Sequence, residues 1–220
     1  MSKLNQTLLK FELEQNFAYD DFFVSKCNYF AFSLIESWPR WEKNILNIYG
    51  EKYSGKTHLT DIFIKKFKGK KIKGNQFNDE TLREFKVVEN LVIDDFDQDI
   101  DEKLMYSLFN LADQDKKYII INSLIPINEI NFKLKDMLSR AKNCLFAKIE
   151  KPDDNLMFAI LIKNFSDRQI TIEKKFIEFI IKRIDRSYKK IYEFIYKIDE
   201  ISLKKKKSID FKIIKEALEV

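Results

Sequence analysis

The sequence predicts an α/β chain in two parts: a mostly parallel, five-stranded sheet flanked by helices, then a small all-α part. Three observations lead there. Short apolar runs alternate with segments of helical spacing from Ile45 to Ile149. The octapeptide Gly50-Glu51-Lys52-Tyr53-Ser54-Gly55-Lys56-Thr57 fits the pattern GxxxxGK[ST] and lies between one such run and one such segment. After Pro152 the strand-like runs stop and only helical spacing continues.

Residues 1–24 mix polar and aromatic residues and read as an arm. Residues 28–38 place Phe30, Ala31, Leu34, Ile35 and Trp38 at helical spacing, and Pro39 ends the run. Residues 45–49 read as a buried strand that stops at Gly50. A helix over 58–67 follows, with Leu59, Ile62, Phe63 and Phe67 on one side. A weak strand at 71–73 completes the sheet, and 87–93 reads as a stronger one. A helix over 104–111, a β-branched strand at 118–121, a helix over 132–141 and a strand at 144–149 come next. Residues 156–165, 173–184, 187–201 and 211–218 are amphipathic at helical spacing. The expected organisation is therefore an arm over 1–24, an α/β domain over 25–151 and a helical domain over 152–220. The run Lys204-Lys205-Lys206-Lys207 reads as a solvated connection between helices.

Composition narrows the function. Of 220 residues, 45% are hydrophobic and 34% charged, which excludes a disordered chain, a collagen-like chain and a disulfide scaffold. Forty Lys and Arg face 35 Asp and Glu, and a net charge of +5 spread so widely does not by itself predict nucleic-acid binding. Cys27 and Cys144 are far apart and His58 is the only histidine, which argues against a Cys/His zinc site. Catalysis by a Ser-His-Asp or Cys-His set would have to run through His58. No apolar run reaches the ~18 residues of a membrane span, and the first residues lack a signal-peptide core. The expectation is a cytoplasmic protein with reduced thiols and no membrane partner.

The octapeptide carries the chemistry. Two of the four glycines in the chain fall within it. Gly50 lets the chain leave the strand tightly, and Gly55 lets the backbone close on a phosphate. Successive N–H groups, with Ser54 among them, and the helix N-terminus would face the anion. Lys56 would reach the β and γ phosphates, and Thr57 would ligate Mg2+. His58, directly after the loop, reads as a packing or phosphate-adjacent residue. About 40 residues on, Leu91-Val92-Ile93-Asp94-Asp95 is an apolar run ending in two carboxylates. Asp94 would hold Mg2+ through water, and Asp95 would orient an attacking water. Asn122 and Ser123 end a further strand at the same sheet edge.

These residues resemble the DnaA/Hda family of AAA+ proteins, from about residue 16 onward. Tyr19 to Val24, with Phe22 and Val24, resembles the family motif that packs near adenine. Gly50 to Leu59 resembles its Walker A segment, and Ile93-Asp94-Asp95 its Walker B. Ser139-Arg140 resembles the box bearing the arginine finger, Ile149 to Asp153 the hinge into the lid, and Ile184 to Lys190 the lid helix carrying sensor 2. The chain departs from the family at Leu124, where an acidic sensor 1 residue is usual, so that Asn122 or Ser123 would have to serve at the nucleotide, and at Lys189, where sensor 2 is usually Arg. Glu51, Lys52 and Tyr53 are bulkier than the usual loop residues. These departures point away from efficient self-hydrolysis more than from nucleotide binding.

The ending at Val220 is similar to the shorter Hda branch, which lacks the helix-turn-helix of DnaA. The segment Gln6 to Phe11 resembles a sliding-clamp-binding peptide, with Gln6, Leu9 and Phe11 as its matching positions and Thr7 as a departure. The resemblance implies a regulator that holds ADP or ATP with Mg2+. With the clamp, it would promote hydrolysis of DnaA-bound ATP through Arg140 inserted in trans, reaching DNA indirectly. Self-assembly stays open. Two other readings remain at this point: a DNA-binding AAA+ accessory or loader using lysines 204–207 and 65–73, and a P-loop nucleotide kinase.

Overall fold

In a computed structural model, the structure describes residues 22–97, 99–168, 170 and 172–219. The arm residues Gln6, Leu9 and Phe11, and Tyr19 to Asp21 of the adenine motif, lie outside these. Fourteen longer elements follow in order: α1 (Tyr29–Ser37), β1 (Ile45–Gly50), α2 (Lys56–Phe67), β2 (Lys70–Lys73), α3 (Asp79–Phe85), β3 (Asn90–Phe96), α4 (Glu102–Asp115), β4 (Tyr118–Ser123), α5 (Lys135–Lys142), β5 (Leu145–Ile149), α6 (Asp154–Asp167), α7 (Lys174–Ile181), α8 (Tyr188–Lys205) and α9 (Phe211–Ala217).

The strands form one five-stranded sheet in the order β2-β3-β4-β1-β5, with every pairing parallel. Because side chains alternate along a strand, each strand feeds two cores. Ile45, Leu91, Ile93, Ile119 and Ile121 pack with residues of α3, α4 and α5 on one face. Leu46, Ile48, Val92, Ile120 and Ala147 pack with α1 and α2 on the other. Helices cover both faces, so the strands read as continuous apolar runs. The C-terminal region is all α, and α6 to α9 share a third core around Met157, Leu161, Ile177, Ile195 and Ile214.

Besides shifted helix ends (the helix expected over 132–141 begins at Lys135, and that over 173–184 ends at Ile181), three elements differ from the sequence expectation. The strand expected at 87–93 begins at Asn90 and runs on to Phe96. Val87 is exposed, because Lys117 Nζ gathers the carbonyls of Phe85, Lys86 and Val88 and curls that segment away from the sheet. Helix α3 was not expected. Its signal is Asn78, whose side chain caps the helix by accepting from the amides of Glu80 and Thr81. The lysine run is only partly a connection, since Lys204 and Lys205 form the last turn of α8 and pair with Glu200 and Glu216.

Candidate functional site

The phosphate-loop octapeptide leaves the carboxyl end of β1, beside the point where the strand order turns back through β4 and β5. Open parallel sheets bind ligands at such points. Gly50 has φ +152°, and a Cβ there would lie 2.7 Å from the Ile149 carbonyl oxygen, so no side chain fits. Gly55 has φ +91° and leads into α2, whose N-terminus no side chain caps. First-turn N–H groups have no partner within their helix, so this terminus is open to an anion.

Lys56 is buried, and its ammonium is held within the loop. It donates to the carbonyls of Gly50 and Glu51, both at 2.8 Å, and to Ser54 Oγ at 3.4 Å. Burial lowers its pKa to about 8, opposed by the charges of Asp94, Asp95 and Glu51. Thr57 Oγ1 donates to Asp94 Oδ1 at 3.2 Å. Asn122 Nδ2 donates to the same oxygen at 2.8 Å and to Thr60 Oγ1 at 3.1 Å, while Asn122 Oδ1 is buried with no protein partner. Burial alone would raise the Asp94 pKa. The Asn122 hydrogen bond, the charge and hydrogen bond of Lys71, and the Thr57 hydroxyl outweigh it and hold the carboxyl below its usual range.

Asp95 lies within a register irregularity between Ile93 and Phe96 and adopts φ +52°, with its side chain exposed. Phe22 sits over the loop: its ring would be 3.4 Å from a Cβ on Gly55, and it meets His58 edge-on at 5.3 Å. His58 is thus a packing residue for Phe22. Val24 is half-buried two residues on.

Lys189 starts α8. Its amide donates to Glu51 Oε1 at 3.3 Å, while its ammonium extends towards Glu193 at 3.8 Å and is largely exposed. Leu124 is 62% exposed just after β4. Arg140 lies elsewhere. It sits on α5, before β5 begins. At the amino end of β1, the strand end away from the phosphate loop, it pairs with Asp113, stands 6.0 Å above the Tyr106 ring, and borders a polar cavity of about 140 Å³ with Lys43 and Asn44.

Sequence reasoning missed four residues of this region. Asn47, buried in β1, fastens the exit of β4 by donating to Ile121 O and Ser123 Oγ and accepting from the Ile127 amide. Glu51 binds the start of α8. Lys71 and Asp61 join the Asp94 cluster. Asp61 was open to detection, since it lies one turn after Thr57 on the same helix face. Lys71 could be placed only once the register of β2 was known.

The residues fit magnesium. That ion takes few protein oxygens and completes its shell with water and phosphate. Thr57 hydroxyl and Asp94 carboxylate offer such a pair at a helix N-terminus, and the orphaned Asn122 Oδ1 gives a nearby water an acceptor. No group of three or more His, Cys, Asp or Glu side chains gathers as a metal cage among the described residues.

The fold and the loop define the class: an AAA+ P-loop fold. Domain III of the DnaA replication initiator from Thermotoga maritima superposes with a TM-score of 0.74 at 21% identity, covering 92% of this chain and 95% of that one. AMPPCP-bound DnaA from Aquifex aeolicus gives 0.67 at 20% identity, covering 89% and 71%. In sequence, the chain is 27% identical to the chromosomal replication initiator protein DnaA of Lachnoclostridium phytofermentans over 94% of its own length and 52% of the relative. The chain thus spans about half the length of the curated relatives it matches, and in fold it is similar to domain III of DnaA. No protein-family model matches it. None of the described helices is long and apolar enough to cross a membrane.

Proposed function

We propose that this chain is an Hda-like regulator of replication initiation: an AAA+ protein that binds adenine nucleotide and, on the sliding clamp, promotes hydrolysis of DnaA-bound ATP. The observation that carries the nucleotide-binding part is the cluster at the mouth of β1, with Lys56 inside the loop and Thr57 Oγ1 3.2 Å from Asp94. In this reading Gly50, Ser54, Gly55 and Lys56 hold the phosphates, and Phe22 and Val24 flank the base. Magnesium, held by Thr57 and Asp94, would supply charge neutralisation at the phosphates. The domain division at about residue 151 makes residues 152–220 the lid.

The regulatory part is supported by what surrounds the loop. Asn122 is engaged with Asp94, an exposed leucine follows it, and the Lys189 ammonium extends towards Glu193. Such a site suits holding nucleotide better than turning it over. Arg140 lies at the amino end of β1, away from its own phosphate loop, which favours a role in trans over one in cis.

The test follows hydrolysis of DnaA-bound ATP on clamp-loaded DNA, with wild-type protein, Arg140→Ala, or a form lacking residues 1–11 added. Acceleration by wild type alone is expected. A wild type that gives none overturns the regulatory reading. A wild type that shows no affinity for ADP or ATP overturns the nucleotide-binding reading.

A further inference from the structure

The carboxylate assigned to magnesium already carries a cation of the chain's own. Lys71, on edge strand β2, places its ammonium 3.2 Å from Asp94 Oδ2, 2.6 Å from Asp61 Oδ1 and 3.3 Å from the Thr57 carbonyl oxygen. An ammonium has three N–H donors, and three oxygens meet them here. The side chain is only 22% exposed, so solvent screens these contacts weakly. The two Asp94 oxygens are thereby divided. Oδ1 accepts from Thr57 and Asn122, and Oδ2 faces Lys71.

The placement is built by three elements. Strand β2 pairs with β3 in parallel, with Lys71 opposite Val92 and Lys73 opposite Asp94. Asp61 stands four residues after Thr57 on α2, so its carboxylate lies one turn along from the Thr57 carbonyl that the same lysine reaches. Asp61 also anchors the ammonium, adding a second carboxylate to Asp94. A carboxylate beside a phosphate loop attracts a hydrated dication by its charge. Here that charge is already met by a fixed cation, and a second cation, Lys56, lies in the loop itself. Both reduce the electrostatic gain from adding a dication.

We propose that Lys71 is a built-in counter-ion for Asp94, so that this chain holds adenine nucleotide with little dependence on magnesium. The inference rests on the nucleotide-binding reading above and deepens it. Lys71 acts as a positioning residue: it sets the charge and orientation of Asp94.

The experiment is calorimetric titration of the full chain with ADP, in millimolar magnesium and again in excess EDTA. Wild type and Lys71→Arg, which keeps the charge, should change affinity by less than about threefold between the two conditions. Lys71→Met should lose about tenfold or more in EDTA and recover most of it in magnesium, a tenfold change being about 1.4 kcal/mol. A merely structural role for Lys71 would weaken binding equally in both conditions, and that result overturns the proposal. So does a wild type that loses tenfold or more in EDTA, which leaves the nucleotide site itself standing. Wild type without affinity in either condition overturns both. If circular dichroism shows Lys71→Met unfolded, the wild-type and Lys71→Arg titrations still decide.

Discussion

The Glu51 carboxylate, inside the phosphate loop, accepts a hydrogen bond from the Ser187 hydroxyl at the start of α8. It also accepts from the amides of Tyr188 at 3.2 Å and Lys189 at 3.3 Å. A carboxylate at a helix N-terminus satisfies orphan donors and meets the positive end of the helix dipole. Tyr53 adds a second tie, stacked on Tyr192 with ring centroids 4.1 Å apart. The loop and the C-terminal helices are therefore joined by Glu51 and Tyr53, two bulky residues of the loop. Glu51→Ala should destabilise the protein by about 1–2 kcal/mol, the usual loss on removing a helix-capping group. Hydrogen exchange at the Tyr188 and Lys189 amides should speed up by about tenfold. Unchanged protection at those amides would show that the contact does not hold the helix.

In the proposed nucleotide site, Lys56 should act in opposite directions on stability and on binding. Its ammonium is desolvated, which lowers its pKa to about 8, and the folded state carries that cost at neutral pH. Lys56→Met should not lower the thermal midpoint. It should weaken ADP binding by about 10- to 100-fold, the value of a charged hydrogen bond to phosphate. Parallel melting and titration of this variant separate the two effects. A midpoint that falls along with affinity would make Lys56 a structural residue.

Much of the sheet and loop was legible because their residues obey local rules. The four stronger strands announced themselves by apolar runs, and Gly50, Gly55, Lys56 and Thr57 by fixed spacing. What was not legible depended on register and long-range contact. Lys71 looks like one lysine of a basic segment until β2 is paired with β3. Glu51 meets residues 136 to 138 positions away, and no periodicity encodes that. The extent of β3 was misread because Val87 and Val88 are β-branched, while the carbonyl grip of Lys117, which bends them away from the sheet, comes from a distant part of the chain.

Alkaline stability should be limited by two buried acids. Burial pushes the Cys144 thiol up to about 12, and burial likewise raises the Tyr188 phenol, which donates to the Glu150 carbonyl at 3.0 Å. Above about pH 9 the unfolded chain releases the Cys144 proton while the folded chain keeps it. The unfolded state then binds fewer protons, so stability falls as pH rises, with a slope of up to about 1.4 kcal/mol per pH unit from each group. Urea melts between pH 8 and 11 should show this fall, and Cys144→Ala should remove the thiol's share. At pH 8 Cys144 should resist thiol reagents until denaturant is added. Rapid labelling of the native thiol would contradict its burial.

Arg140 and Asp113 form a half-exposed pair, with side chains 35% and 43% exposed. Pairs of this kind are worth at most about 1 kcal/mol, so Arg140→Ala should barely move the thermal midpoint. In the proposed trans role the same variant should lower stimulation of DnaA-bound ATP hydrolysis by about 100-fold or more, because a finger's charge is applied at the transferring phosphoryl group. Arg140→Lys should lose most of the effect as well, since lysine lacks the planar fork. Asp113→Ala frees the guanidinium and should leave stimulation intact or raise it. The pair of variants thus separates a finger from a surface ion pair. Equal losses in Arg140→Ala and Asp113→Ala would mean that the α4–α5 surface, and not the guanidinium, is what a partner requires.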